Sequence, residues 1–383
     1  MEDRIQKLAR ALKWGWLPQM VDWTTQQAIA IQQIPAPTFH EQQRALYVME
    51  QFRALGLREV EIDRFYNVYG LLPGQRPSRW ALMLAAHTDT VFPAETNLAV
   101  AHKEDFIYGP GLGDNSMGVA GLLALAAALK QQNWIPDCDL WFVATTREEG
   151  LGDLGGMRGA FDKLNMRITS VINLEGLAFG HVYHAGIAVR RLHIKATASG
   201  GHSWLHFGRA SAIHGIVELG AQITALRPPQ NPRTTYNIGM IEGGQSINSI
   251  ATQAGLWLDL RSEDSGALQA LEQQVYAQIA TLSKPDLALT VEIVGDRPAG
   301  SVAATHPLVL GALAALAQVG VRGTLESGST DANVPLAAGC PAVTIGITRG
   351  GNAHRTDEYI ETKPIAAGLQ QLVLLTLAAA QGE

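Results

Sequence analysis

Four short apolar runs in this chain end in residues that do chemistry. Ala81 to Ala86 leads into His87-Thr88-Asp89, Leu140 to Thr145 into Glu148-Glu149, Ser170 to Leu174 into Glu175, and Ala342 to Ile347 is followed within one loop by His354. A further carboxylate, Asp114, closes the glycine-rich segment GPGLGD. Two imidazoles and several carboxylates are what a pair of divalent cations needs, because one bridging carboxylate holds two ions at the separation used in two-metal hydrolases. Taken singly, each residue is ordinary: a histidine after a strand is most often a satisfied core or surface residue, and a Glu-Glu pair is most often solvated. Two spacings say more. In His-x-Asp the aspartate can accept the second imidazole N–H and fix the tautomer that binds metal. Adjacent carboxylates at a strand end repel unless a cation or a shared proton compensates. The GPGLG segment does not read as a nucleotide fingerprint, since Pro110 removes a backbone N–H where phosphate needs donors.

The elements that must position these residues can be read around them. The four runs have the length and the Gly, Pro or charged borders of buried strands. Between the first two, Gly118 to Lys130 (GVAGLLALAAALK) predicts a buried helix, so strand, helix, strand alternation points to an α/β sheet covered on both faces. In open sheets of this kind ligands collect at the carboxyl ends of the strands, which brings the polar residues to one edge. Upstream, Leu46, Met49, Phe52 and Leu55 recur at helical spacing, with Thr38 and Glu41 as a capping box and Gly56 as the stop. The character changes near Val189. Arg190 to Ala198 and Gln253 to Arg261 alternate with a two-residue period, Ala210 to Leu226 and Ser265 to Ser283 are helical, and Leu287 to Val294 is a further strand. That describes an α+β unit around an antiparallel sheet with one open face. After Pro298 the earlier pattern returns. The expected organisation is a discontinuous, three-layer α/β domain, residues 1–187 plus 300–383, around a mixed and mainly parallel sheet, with residues 188–299 inserted as a smaller α+β domain.

Composition limits what such a molecule does. With 383 residues the chain is too long for one core, since single domains run to about 100 to 200 residues. Apolar residues at 47% and charged residues at 17% exclude disorder. A formal charge of -6, with no block of Lys and Arg, gives a nucleic-acid partner no support. Cys138 and Cys340 are the only cysteines, too few for a disulfide framework, and each sits beside apolar sequence as a buried thiol in a reducing compartment would. The start, MEDRIQKLARALKWGW, has charges in its first turns and no apolar core of signal-peptide length, while the longest apolar run, Val119 to Leu129, is too short to span a bilayer. The expectation is a soluble, cytoplasmic protein with no membrane partner.

Taken in order, HTDTV, GLGDNSMGVAG, TTREEGLGDLGG, NLEG, GGHSW, GSTDAN and HRTDEYI resemble the motifs of the M20 family of dinuclear metallopeptidases and amidohydrolases, a likeness that runs from about Ile34 to the C-terminus. The resemblance implies that His87, Asp114 and Glu175 hold one divalent ion and Asp114, Glu149 and His354 a second, with Asp114 as the bridge. It implies that Asp89 is the carboxylate behind the first histidine ligand and Glu148 the general base and acid. The inserted segment resembles the family's lid and dimerisation domain, in which the histidine of GGHS, here His202, reaches the partner subunit's active site and polarises the scissile carbonyl. GGQSINSIA and LDLRS resemble the segments that supply an Asn and an Arg, here Asn248 and Arg261, to a substrate carboxylate, with the Gly350-Gly351 loop expected beside them. Trp204 departs from the family, where a small residue is more usual, and has two readings: a wall of the substrate pocket or a packing residue of the lid. Asp331, in GSTDAN, has no role assigned.

The resemblance thus implies metal-dependent hydrolysis of an amide bond in a short peptide, aminopeptidase-like or dipeptidase-like, by a water that two metals activate. Glu148 takes the water's proton and returns it to the leaving amine, while His202 stabilises the oxyanion. Two divalent ions per chain are expected. His and carboxylate ligands suit zinc, and an oxygen-rich site also accepts manganese or cobalt. One alternative is a deacylase of N-acyl amino acids, which presents the same amide beside a carboxylate. The other is a metal-containing peptide-binding protein without catalysis, which has no need of Glu148 beside a full ligand set. The expected partners are a small peptide or N-acyl amino acid and a second copy of the chain in a homodimer.

Overall fold

The four apolar runs form the centre of a mixed sheet that has nine strands among the described residues. Its order is Arg58–Ile62, Val68–Leu72, Asp139–Thr145, Ala81–His87, Ile168–Glu175, Ala342–Gly346, His181–Gly186 and Gly300–Ser301, with Thr324–Gly328 also paired to His181–Gly186. The computed structural model describes residues 1–76 and 80–381. The chain divides into two units: Met1–Gly186 with the chain from Gly300 onward, which contains this sheet, and Ile187–Ala299. The four central strands of the sheet run parallel, so their carboxyl ends share one edge.

Burial explains why these segments are strands and helices. Ala81–His87 is buried along its whole length, as a strand covered on both faces must be. The helix Gly118–Gln131 is buried at every position from Gly118 to Leu129. Its small residues allow close packing, since a Cβ at Gly121 would meet Ile347 at 2.6 Å. The helix Gln42–Ala54 turns Ala45, Val48 and Phe52 inward, with Phe52 edge-on to Phe142 at 6.4 Å; burying a residue of that size contributes about 1.5–3 kcal/mol.

Two local expectations for that helix differ from the structure. Leu46 is exposed and Arg44 takes an inner position. The capping box does not form: Glu41 stands at the N-cap without a side-chain cap bond. Instead the Thr38 hydroxyl donates to Asp89 Oδ2 at 2.8 Å, and Glu41 Oε1 accepts the N–H groups of Phe39 and Arg147 at 2.9 and 3.1 Å. Both side chains are drawn into the loops at the strand ends, where buried donors and acceptors need partners.

A small antiparallel sheet, Gly350–Gly351, Tyr359–Glu361, Phe106–Tyr108 and Ala101–Lys103, frames the loop that carries His354. In the second unit four antiparallel strands run in the order Thr234–Gly243, Gln253–Ser262, Ala188–Ala198 and Leu287–Arg297. Alternation divides their faces. Leu192, Ile194, Leu256, Leu258 and Leu260 pack with Ile216, Leu219 and Val275 of the helices Ala212–Ala225 and Ser265–Leu282. The residues between them, His193, Trp257 and Asp259, stand on the other face, where the rings of His193 and Trp257 stack at 3.7 Å. The fold class is α/β, with a mixed, mainly parallel sheet and an α+β unit.

Candidate metal centre

Strand register assembles the site. His87 lies opposite Thr145, and Glu175 opposite Gly346. His87 Nε2 stands 3.2 Å from Asp114 Oδ1 and 3.5 Å from Glu175 Oε2. His354 Nε2 stands 3.1 Å from Asp114 Oδ2 and 3.2 Å from Glu149 Oε1. Asp114 thus turns one oxygen to each histidine. Two groups result, His87-Asp114-Glu175 and Asp114-Glu149-His354, each with its ligand atoms within 4.8 Å of one another. Glu148 belongs to a third such group with His87 and Glu149.

The carboxylate of the fully buried Asp89 accepts the N–H groups of Glu148 and Glu149 at 2.9 Å each and the Thr38 hydroxyl at 2.8 Å. His87 Nδ1 is nearer the backbone carbonyl of Asp89, at 3.1 Å, than its carboxylate, at 3.5 Å. A proton on Nδ1 serves that carbonyl and leaves the Nε2 lone pair to face Asp114 and Glu175. Asp89 therefore orients His87 mainly through its backbone, while its carboxylate aims the Glu148-Glu149 pair.

Three residues that sequence reasoning missed tie the ligand loops together. Glu358 is buried; its Oε1 accepts Gly113 N–H at 2.6 Å and Asp114 N–H at 2.9 Å, and its Oε2 accepts Gly111 N–H at 3.1 Å. Burial pushes its pKa up to about 7 against the pull of those N–H groups. Because Glu358 follows His354 by four residues, it joins the His354 loop to the Asp114 loop. Asn115 joins Asp114 to the Glu175 strand: its Nδ2 donates to Leu174 O and its Oδ1 accepts Gly176 N–H, both at 2.8 Å. Residue 176 must be glycine, since a Cβ there would lie 2.1 Å from Gly113 O. Buried Arg44 donates to Ile34 O at 2.7 and 3.1 Å and to Thr88 O at 2.6 Å. It fixes the carbonyl between His87 and Asp89. Burial lowers its pKa to about 10, although Asp89 and Glu41 oppose the shift. Glu358 had one signal in the sequence, a carboxylate close to His354 just before an apolar strand; Arg44 and Asn115 had none that composition or periodicity reveals.

The electrostatics follow from crowding carboxylates in a dry place. Burial works against a proton on His87, but Glu175, Asp114 and Asp89 outweigh it and hold the imidazolium form well above its ordinary range. Asp114 and Glu149 lift His354 to about 10. Burial pushes Asp114 up, yet the bonds from His354 and His87 pull it below the usual carboxylate range. In Glu175 burial wins over His87 and the pKa rises. A field that would keep a proton on both imidazoles is one that a divalent cation also experiences. Imidazole nitrogen with carboxylate oxygen is a donor set for such ions, and the residues present fit two of them sharing Asp114. Asp331 lies fully buried beside this cluster: its Oδ2 accepts the Thr145 hydroxyl at 2.5 Å, its Oδ1 has no partner among the described residues, and burial pushes its pKa to about 7.

The remaining expected residues belong elsewhere. Gly350 and Gly351 form the short strand that leads into the His354 loop. His202 and Asn248 come together in the second unit, where Gly201–His202 pairs with Ser249–Ile250 and Ser203 N–H donates to Asn248 O at 3.0 Å. His202 is exposed. Trp204 N–H donates to His202 Nδ1 at 3.2 Å, so in the neutral ring the proton sits on Nε2. Arg261 is not with them: it lies eight residues along its strand from Gln253, roughly 26 Å at the usual rise, and grips Asp259 at 2.7 and 3.3 Å. Trp204 is 84% exposed, which removes its reading as a packing residue of its own unit.

The sequence profile of Peptidase family M20/M25/M40 matches residues 83–378. A search of curated protein sequences gives no match. Among solved structures, aminopeptidase PepT of Bacillus cereus is similar with a TM-score of 0.76 at 22% identity, covering 94% of this chain and 99% of that one. A tripeptidase of Staphylococcus aureus gives 0.77 at 21% identity over 94% and 98%. The dipeptidase Dug1p of Saccharomyces cerevisiae gives 0.76 at 14% identity over 99% and 98%. At these identities the likeness to the solved structures is one of fold.

Proposed function

The chain belongs to Peptidase family M20/M25/M40 and is a hydrolytic enzyme of the peptidase and amidohydrolase type; from that premise we propose that it cleaves an amide bond in a short peptide, as an aminopeptidase or dipeptidase, with two divalent ions per chain. The observation that carries this reading is the pair of ligand triads sharing Asp114, with Glu148 beside them. His87, Asp114 and Glu175 would hold one ion and Asp114, Glu149 and His354 the other, zinc by donor type, with manganese or cobalt as alternatives. Bound there, such ions would acidify water and polarise a carbonyl.

The chain's own residues do the rest. Glu148 takes a proton from the attacking water and hands it to the leaving nitrogen, which departs as an amine. Its N–H bond to Asp89 keeps it next to Glu149 and His87. His202, with its proton on Nε2, donates to the carbonyl oxygen as negative charge develops there. The exposure of His202 fits action on a second copy of the chain, so the working form is a homodimer. Asn248, Arg261 and the Gly350-Gly351 strand bind the substrate carboxylate. Arg261 stands roughly 26 Å along its strand from Gln253, which follows Asn248 by five residues, so on this reading one carboxylate meets both side chains only if each comes from a different chain. Two free cysteines, Cys138 buried and Cys340 half-buried, fit a reducing, cytoplasmic location.

The test is amine release from di- and tripeptides and from N-acyl amino acids by protein reconstituted with zinc, manganese or cobalt, with elemental analysis of the same samples. Peptide turnover with close to two ions per chain is the expected result. Turnover of N-acyl amino acids alone would make the protein a deacylase, and peptide binding without amine release would make it a binding protein.

A further inference from the structure

The turn from Gly201 to Gly208 holds its polar groups internally and presents an apolar face. His202 Nδ1 accepts the Trp204 N–H at 3.2 Å, His206 Nδ1 accepts the His202 N–H at 2.9 Å, and His206 N–H donates to His202 O at 2.9 Å. Gly201 makes room for the second ring: a Cβ there would lie 2.5 Å from His206 Nδ1, and its φ is +144°, a conformation that favours glycine. The backbone is thus fixed without help from the side chains that project outward. Those side chains are Trp204, Leu205 and Phe207, at 84%, 72% and 93% exposure. Ile247, on the loop tied to the turn by the Ser203 to Asn248 bond, is fully exposed as well. Single exposed apolar residues are ordinary, but a contiguous group marks a binding surface.

We propose that Trp204, Phe207 and Ile247 form the apolar wall of the substrate subsite at His202, and that the preferred substrate carries a bulky apolar side chain on the carbonyl side of the scissile amide. This rests on the reading in which His202 donates to the scissile carbonyl oxygen, because the group bonded to that carbonyl carbon is then within reach of the same turn. The polar residues inside the patch choose the occupant. Among the described residues His202 Nε2–H meets no acceptor, and neither do the amide N–H groups of Asn248, whose Oδ1 accepts the Ser246 hydroxyl at 3.0 Å, so both are left to a ligand's acceptor. An apolar pocket with a few convergent donors is how a small-molecule site is built, and a wall that excludes water also strengthens the bond His202 makes.

The experiment uses the metal-loaded homodimer and tripeptides that differ only in the residue contributing the scissile carbonyl: phenylalanyl-glycyl-glycine and leucyl-glycyl-glycine against alanyl-glycyl-glycine. Wild type is expected to favour the bulky substrates by about 10-fold or more in kcat/KM, the range a hydrophobic pocket supplies. Trp204→Ala and Phe207→Ala should each lose more on the bulky substrates than on the small one, so that the preference shrinks severalfold, and Trp204→Phe should keep most of it. Metal content and sedimentation of every variant are measured alongside. No preference in wild type, or an unchanged preference in the alanine variants, overturns the proposal. So does a Trp204→Ala protein that becomes monomeric and loses all substrates equally, which would make the patch a contact between subunits. His202→Ala separates the two levels: a large loss on every substrate with the preference retained supports the underlying reading, while a full wild-type rate removes that reading, whatever Trp204 does.

Discussion

Asp89 in the first unit and His202 in the second both stand at or just past a strand, and their surroundings differ in kind. Asp89 is fully buried, and three donors from distant parts of the chain meet its carboxylate. His202 is exposed, with one ring nitrogen tied to its own turn and no bond to the other among the described residues. A ligand set can be completed inside one unit, because backbone N–H groups and buried carboxylates aim each other. A group proposed to act on something outside its unit is, in His202, anchored at its base and open at its tip. The first kind has its hydrogen-bond partners in place within the unit, and on the proposed reading the second meets its partner only in a substrate.

The largest effects should come from breaking the enclosed set. Glu148→Gln keeps the size and the backbone bond to Asp89 while removing the proton acceptor, so kcat should fall by roughly 100-fold to 10,000-fold with metal content unchanged. Glu149→Gln should instead reduce metal occupancy, since Glu149 lies against His354 and Asp114, where the proposed second ion would be held. Steady-state rates and elemental analysis on the same samples check both, and near-normal turnover by Glu148→Gln would remove it from the mechanism.

On the open side, His202→Ala should cost about 2.7–4 kcal/mol of transition-state stabilisation, the usual worth of one oxyanion donor, and should release no metal. Mixing it with Glu148→Gln sharpens the comparison. After subunit exchange, a heterodimer holds one site with an intact base and an intact partner histidine. Recovered activity is the expected outcome; none, despite proven exchange, would mean that each chain supplies its own histidine or that His202 does something else.

These two sides were also unequally legible in the sequence. An apolar run ending in His, Asp or Glu is a local signal, and the parallel strands convert it directly into shared position, which is why the grouping of His87, Glu149, Glu175 and Asp114 can be read from the sequence. The supports cannot. Glu358 meets Gly113 across 245 positions of sequence, and no periodicity reports a contact of that span. Arg44 sits where helical spacing favours an apolar residue, because carbonyls of Ile34 and Thr88 satisfy its guanidinium. The Thr38-Glu41 signature was real as a pattern and lost to tertiary partners. For Trp204 the sequence left two roles open, and exposure decided against one of them.

A smaller effect tests the supports. Glu358→Gln keeps the shape but replaces one acceptor oxygen with an amide donor that opposes the N–H groups of residues 111–114. Residues that orient metal ligands are typically worth about 10-fold to 100-fold in metal affinity. Metal titration of the variant should show that loss, with activity largely recovered at saturating metal. A normal affinity would show that the Asp114 loop needs no clamp from the His354 side.

The smallest expected effect asks whether the contrast between the units extends to their stability. Asp264 caps the helix Ser265–Leu282 of the second unit, its Oδ1 accepting the Ala267 N–H at 2.7 Å. Asp264→Ala removes that bond and a negative charge from the helix N-terminus, a loss of about 0.5–2 kcal/mol. In a domain of about 100 residues each kcal/mol lowers Tm by roughly 4 to 8 °C. The matching perturbation of the first unit is a chelator, which would withdraw the proposed cations from the carboxylates and so lower the stability that their binding would confer. Each unit has its own hydrophobic core. In calorimetry the chelator should therefore move one transition and Asp264→Ala the other. If both perturbations move a single shared transition, the units unfold together, and the difference between an enclosed and an open set of polar residues belongs to their chemistry alone.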